Sequence, residues 1–135
     1  MNNNSVTCVA IGSEGDIVEA RQKGRELSKQ IGFGLTDQAR IATGISELAR
    51  NILLYAGSGQ VILNIVEIEG RRGIEIMAQD QGPGIMSLEQ ALTDGFSTSR
   101  GLGVGLPGTK RLMDELYIES TFNQGTVVIA RKWIN

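Results

Sequence analysis

Glu47 and Asn51 stand four residues apart in the run ELARN. On a helix that spacing sets a carboxylate and a carboxamide on one face. Because Ile45, Leu48 and Ile52 flank them, the pair is expected to be at least partly shielded from water. The alternative is the wet side of an amphipathic helix. Further along, Asp80 ends an apolar run, and Gly82 and Gly84 bracket Pro83 directly after it. Gly101, Gly103 and Gly105 then alternate with Leu102 and Val104. Glycine serves where backbone must approach a ligand closely or take positive φ. Bare backbone N–H groups leading into a helix make an anion site. The anion that suits such a stretch is a nucleotide phosphate.

Each feature also has a plainer reading. Asp80 could close an Asx turn at a strand end, and the 101–105 run could be a flexible loop. Gly103, Gly105 and Gly108 satisfy the letter of G-x-G-x-x-G. That fingerprint should follow a buried strand, and the polar FSTSRG precedes it here.

The elements that must position these residues follow from periodicity. Val6 to Ile11 reads as a short β-branched strand ending at Gly12. Ser13 is placed to cap a helix, with Asp16 three residues on. Ile17, Ala20, Gly24, Leu27 and Ile31 make one helical face. Gly32 and Gly34 stop that helix, and Thr36 with Asp37 is expected as the next N-cap and first turn. From Asp37 to Tyr55 a core stripe of Ile41, Ile45, Leu48, Ile52 and Tyr55 predicts the helix that carries Glu47 and Asn51. Residues 60–69 read as a strand, 70–73 as a turn carrying the solvated pair Arg71-Arg72, and Gly73 to Asp80 as the returning strand. In that returning strand Ile74, Ile76 and Ala78 share one face, with Glu75, Met77 and Gln79 on the other. Leu106 to Glu115 is expected as a helix with Pro107 in its first turn. Tyr117 to Phe122 and Thr126 to Trp133 close the chain as a hairpin. The order predicts an α/β (α+β) two-layer sandwich, a mixed sheet with helices on one face.

Composition narrows the chemistry further. The 135 residues are enough for one domain, expected to span 1–135, with no internal repeat or linker. A net charge of −2 gives no footprint for nucleic acid. No apolar run reaches the length of a membrane span, and the polar start MNNNSVT does not read as a signal peptide. Cys8 is the only cysteine, which excludes an internal disulfide and fits a cytoplasmic location. Histidine is absent. That removes Ser–His and Cys–His nucleophile pairs, histidine bases and histidine metal sites together. Catalysis must therefore use carboxylates, backbone donors, basic side chains or a bound ion.

Taken in order, ELARN (47–51), DQGPG (80–84), GLGVG (101–105) and Gly125-Thr126 resemble the asparagine box and three glycine boxes of the GHKL superfamily. That superfamily shares the Bergerat ATP-binding fold among gyrase, histidine kinases and MutL. The resemblance covers essentially the whole chain. Within the superfamily, the segments DQARIATGISELARNILLYAG, QDQGPGI and DGFSTSRGLGVGLPGTKRLMDE look closest to the small serine/threonine kinases and anti-sigma factors of bacterial partner-switching pathways, in particular the stressosome switch kinases.

The resemblance implies ATP and Mg²⁺ as cofactors and assigns roles box by box. Asn51 would complete the coordination of Mg²⁺ held on the phosphates, an ion that prefers oxygen ligands. Glu47 would be the general base for the attacking hydroxyl. Asp80 would accept a hydrogen bond from the adenine amino group, with Gly82 in the same turn, Gly84 giving the ring room and Thr126 supporting Asp80. Gly101, Gly103, Val104 and Gly105, with the following helix N-terminus, would hold the phosphates. Many relatives carry a basic residue one turn after the asparagine, where this chain has Leu54 and Tyr55. Arg100 is the substitute candidate for the γ-phosphate, with Lys110 next.

The implied function is an ATP-dependent protein serine/threonine kinase acting on STAS-domain antagonist and scaffold proteins, then engaging the activator domain of a phosphatase. Two alternatives stay open: an anti-sigma factor of the same fold, and a nucleotide-gated binding module without transfer. Retention of Glu47 speaks against the second, since binding ATP needs no base.

Overall fold

The computed structural model describes residues 6–82, 105–121 and 124–134. Along these residues run β1 (Val6–Ile11), α1 (Glu14–Ile31), α2 (Leu35–Tyr55), β2 (Gly59–Ile68), β3 (Arg71–Asp80), α3 (Gly105–Leu112), β4 (Glu115–Thr121) and β5 (Gly125–Trp133). The strands form one sheet in the order β1-β2-β3-β5-β4.

Every described pairing is antiparallel, where the sequence suggested a mixed sheet. The reason lies in the connections. Two helices, α1 and α2, intervene between β1 and β2, so the chain re-enters the sheet in the opposite sense. β4 does run parallel to β3, but β5 lies between them and pairs antiparallel with both.

Register stacks the apolar side chains in rows across the sheet. Val9, Val61, Ala78 and Val128 form one row, and Leu63, Ile76 and Ala130 are aligned in the next. All of these are buried beneath the helices, as strand alternation requires. From α1, Ile17, Ala20, Leu27 and Ile31 join that core, and from α2, Ile41, Ile45, Leu48 and Ile52. A fully buried Ile or Leu contributes about 1.5–3 kcal/mol, so these two helical stripes hold the two layers together. Tyr55, expected at the end of the second stripe, is instead exposed, because α2 ends there and the sheet no longer lies beneath it.

The Ser13 cap forms as expected: its Oγ accepts from the Asp16 amide at 3.3 Å, and Gly32 ends α1 in the left-handed conformation. Three boundaries differ from the sequence reading. α2 begins at Leu35 with Gly34 as its N-cap, not at Thr36; the Gly34 carbonyl accepts from the Gln38 amide at 2.9 Å and starts the helix without a side-chain cap. The hairpin turn is confined to Glu69 and Gly70, both at positive φ (53° and 80°), as a two-residue hairpin turn requires. Arg71 and Arg72 therefore belong to β3, and Arg71 stacks over the Trp133 ring at 4.8 Å. Finally, α3 stops at Leu112 and β4 begins at Glu115. The Asp114 amide is taken by the Arg131 carbonyl at 2.9 Å, which draws the chain into the sheet two residues earlier than expected.

Candidate functional site

The sheet's polar end lies where its apolar rows stop. One position beyond Val61, Ala78 and Val128 on the same face, register aligns Gly59, Asp80, Thr126 and Ser120 across β2, β3, β5 and β4. Asp80, Thr126 and Ser120 thus continue the core-facing side of the sheet as a row of polar side chains. Thr126 is 9% exposed, and its hydroxyl lies 2.9 Å from that of Ser120. Ser120 also donates to the Gly125 carbonyl at 3.3 Å. Ser120 had no motif to mark it; only the pairing of β4 with β5 reveals it.

Asp80 does form the Asx turn weighed above: Oδ1 accepts from the Gly82 amide at 2.9 Å. An ionised carboxylate has two oxygens and about four acceptor positions, so the turn uses one part of its capacity. The turn is pressed against the end of α2. A Cβ on Gly82 would come within 2.8 Å of the Ala56 Cα, so no larger residue fits there without displacing backbone. On the other flank Gly125 has φ 130°, and a Cβ there would collide with the Asp80 carbonyl oxygen. Both glycines serve to bring three segments together around Asp80.

α2 delivers Glu47 and Asn51 to the same region. Its residue Ile52 packs on Gly59, the ladder partner of Asp80, and its last residues, Tyr55 and Ala56, meet Gly82. Glu47 is 8% exposed and Asn51 is half-buried, so the carboxylate is not on the wet side of an amphipathic helix.

α3 packs against α2. Gly105 is its first residue, so the bare amides of its first turn are those that follow the glycine run. Thr109 and Met113 pack over Gly44, one turn before Glu47. Lys110, the second candidate for a phosphate contact, is exposed and sits in the last turn of α3, about five residues or 7.5 Å along the axis from Gly105. Gly84, Arg100, Gly101, Gly103 and Val104 lie outside the described residues.

Among the described residues no three His, Cys, Asp or Glu side chains group to hold a metal ion. Asn51, half-buried one turn after buried Glu47, carries an amide oxygen of the kind a hard, oxygen-preferring ion takes. No helix among the described residues is long and apolar enough to cross a membrane.

The chain is similar to known proteins in sequence and in fold. The chain is 56% identical over 131 residues to the serine/threonine-protein kinase RsbT of Bacillus subtilis (strain 168), covering 97% of this chain and 98% of the relative. It is 32% identical over 100 residues to the anti-sigma F factor of Thermoanaerobacter sp. (strain X514), covering 71% and 70% of the two chains. Among solved structures, the RsbU and RsbW domains of a Mycobacterium tuberculosis protein align with TM-score 0.62 at 18% identity over 93% of this chain. The match spans about a third of that longer chain, 32%. The SiaB–SiaC complex of Pseudomonas aeruginosa aligns with TM-score 0.56 at 14% identity, over 95% of this chain and 89% of the other. At such identities the structural likeness establishes the fold alone. Residues 36–133 match the model of the histidine kinase-, DNA gyrase B- and HSP90-like ATPases, and the chain belongs to that family.

Proposed function

We propose that residues 1–135 act as one ATP- and Mg²⁺-dependent protein serine/threonine kinase domain of a bacterial partner-switching pathway. The observation that carries this is Glu47, buried one turn before Asn51 on a helix whose end packs against the Asp80–Gly82 turn. A module that only bound nucleotide would have no use for a carboxylate held out of water at that place. Kinship with a serine/threonine-protein kinase at 56% identity over nearly the full chain supports the same reading.

Phosphoryl transfer asks the protein for positioning, charge neutralisation and an oriented nucleophile more than for covalent chemistry. Asp80, with one oxygen committed to the Gly82 amide, offers the other to the adenine amino group, and Thr126 backs it from the adjacent strand. The glycine run ending at Gly105 and the first turn of α3 donate backbone N–H groups to the phosphates. Asn51 would hold Mg²⁺ through its amide oxygen, and the ion would supply neutralisation of charge on the ATP phosphates. Glu47 takes the proton from a serine or threonine hydroxyl of the partner. The hydroxyl oxygen bonds to the γ-phosphorus as the bond to the bridging oxygen breaks, leaving ADP. Arg100 is the proposed cation for the transferred group.

The partners follow from the same reading: STAS-domain antagonist and scaffold proteins as substrates, the activator domain of a phosphatase as the second partner, and the cytoplasm as the place of action. A phosphate adds about −1.5 to −2 charges to the substrate, facing Glu47 and the ADP phosphates. That repulsion releases the substrate and frees the surface for the second partner. The test is transfer from γ-labelled ATP to candidate STAS proteins. Label on a STAS serine or threonine is the expected result; ATP binding without label would leave a nucleotide-gated binding module. Likeness to an anti-sigma F factor favours one further reading, retention of a sigma factor. A pull-down against sigma factor and STAS protein separates the two.

A further inference from the structure

Lys132 is the one buried lysine among the described residues, and the proposed chemistry does not use it. It stands on the helix-facing side of β5, two ladder positions beyond Ala130. Its ammonium donates to the Leu112 carbonyl, the last of α3, at 2.9 Å. The Asp114 Oδ1 lies 3.8 Å away and the Asp37 Oδ1, in the first turn of α2, 3.9 Å. Asp114 is itself held to β5, its Oδ2 accepting from the Trp133 amide at 2.8 Å. One buried cation therefore joins three elements: the carboxyl end of α3, the amino end of α2 and strand β5.

The contacts along α2 give α3 its direction. The Leu112 end is tied toward Asp37 and the middle of α3 lies over Gly44. On the reading of the amino end of α3 as the phosphate site, the helix runs back along α2 from this tie toward Glu47 and Asn51. An eight-residue helix is about 12 Å long, too short to bend appreciably, so holding one end fixes the other. The ammonium also counters the Asp37 and Asp114 carboxylates, which without it would add their negative charge to the negative pole of the helix and weaken the field at its amino end.

We propose that Lys132 is a positioning residue for nucleotide phosphates, acting through α3. By clamping the helix at its far end it holds the amino-terminal amides where the phosphates bind and raises their pull on an anion. The inference rests on the reading of that helix end as the phosphate site.

The test compares ADP with adenosine, which share the base and ribose and differ in the phosphates. Binding of each is measured by calorimetry at fixed Mg²⁺ for the parent, Lys132→Met and Lys132→Arg. The parent is expected to prefer ADP. Lys132→Met is expected to lose roughly three- to tenfold of that preference with adenosine affinity unchanged, and Lys132→Arg to retain most of it. If Lys132→Met does not fold, Lys132→Gln, which keeps a donor and leaves a smaller hole, is read in the same way. A substitution that weakens both ligands equally, or one that leaves the preference whole, overturns the role of Lys132, as does an arginine variant that behaves like methionine. A parent that binds adenosine as tightly as ADP overturns the phosphate site itself, an outcome visible before any variant is made.

Discussion

The hydroxyls of Ser120 and Thr126 lie 2.9 Å apart across the β4–β5 ladder, and Thr126 is in turn the register partner of Asp80. A polar row therefore ends on the carboxylate proposed to read adenine. Thr126→Val keeps shape and removes the hydroxyl. ATP and ADP should then bind about three- to tenfold more weakly, the size of one neutral hydrogen bond, with the melting temperature little changed. Equal affinity in the variant would detach Thr126 from the base site.

Asp80→Asn tests the anchor directly. An asparagine Oδ1 can keep the bond to the Gly82 amide, so the turn survives, but its NH₂ then faces the adenine amino group, donor against donor. Loss of a hydrogen bond to a charged group costs about 1.5–3 kcal/mol, so ATP and ADP should both weaken roughly ten- to a hundredfold. Calorimetry with both nucleotides checks this. Weakened ATP with unchanged ADP would move Asp80 to the γ-phosphate.

Glu47→Gln retains volume in a position only 8% exposed and removes the base. Transfer should fall by roughly 10²- to 10⁴-fold while ATP affinity stays close to that of the parent. Single-turnover label transfer at saturating ATP is the measurement, and normal turnover would remove Glu47 from the mechanism.

Gly125→Ala should destabilise the fold by about 1–3 kcal/mol. Its φ of 130° strains any L side chain, and the new methyl would strike the Asp80 carbonyl oxygen. Urea unfolding measures the loss. Because the displaced backbone is that of Asp80, adenosine affinity should drop in the same variant.

Glu115 predicts a pH dependence. Hydrogen bonds from Trp133 above all, then from Arg131 and Tyr117, hold its carboxyl below the ordinary glutamate range. Since the folded value is the lower one, its stabilising contribution is present in full above the unfolded pKa. That contribution is lost as pH falls through the folded one. Trp133→Phe removes the largest cause, so less stability should be lost to this group on acidification than in the parent, and the loss should be complete at a higher pH. Urea midpoints taken from neutral to acid pH give the two curves, and parallel curves would refute the assignment.

Much of this architecture was legible because it repeats along the chain. The stripe from Ile41 to Ile52 announced α2, and within it the Glu47–Asn51 spacing marked a polar face that the structure shields at Glu47. Boundaries were less legible where an interaction distant in sequence decided them. Thr36 has the side chain of a cap, but Gly34 supplies the extended backbone that starts the helix. Glu115 continues a helical pattern, yet pairing with Arg131 draws it into the sheet. Ser120 and Lys132 could not be singled out at all, since their roles arise from the register of β5 with its neighbours.

The family match begins at residue 36, yet Val9, Ile11, Ile17, Leu27 and Ile31, all ahead of it, lie in the common core. At about 1.5–3 kcal/mol for each large buried side chain, their joint contribution is comparable with the ~5–15 kcal/mol net stability of a whole domain. A fragment trimmed to the matched residues would bare the face of α2 that Gly24 of α1 abuts at Ile45, and would leave β2 as an unpaired edge open to association with other chains. The length that the family model matches is thus shorter than the length that builds the common core.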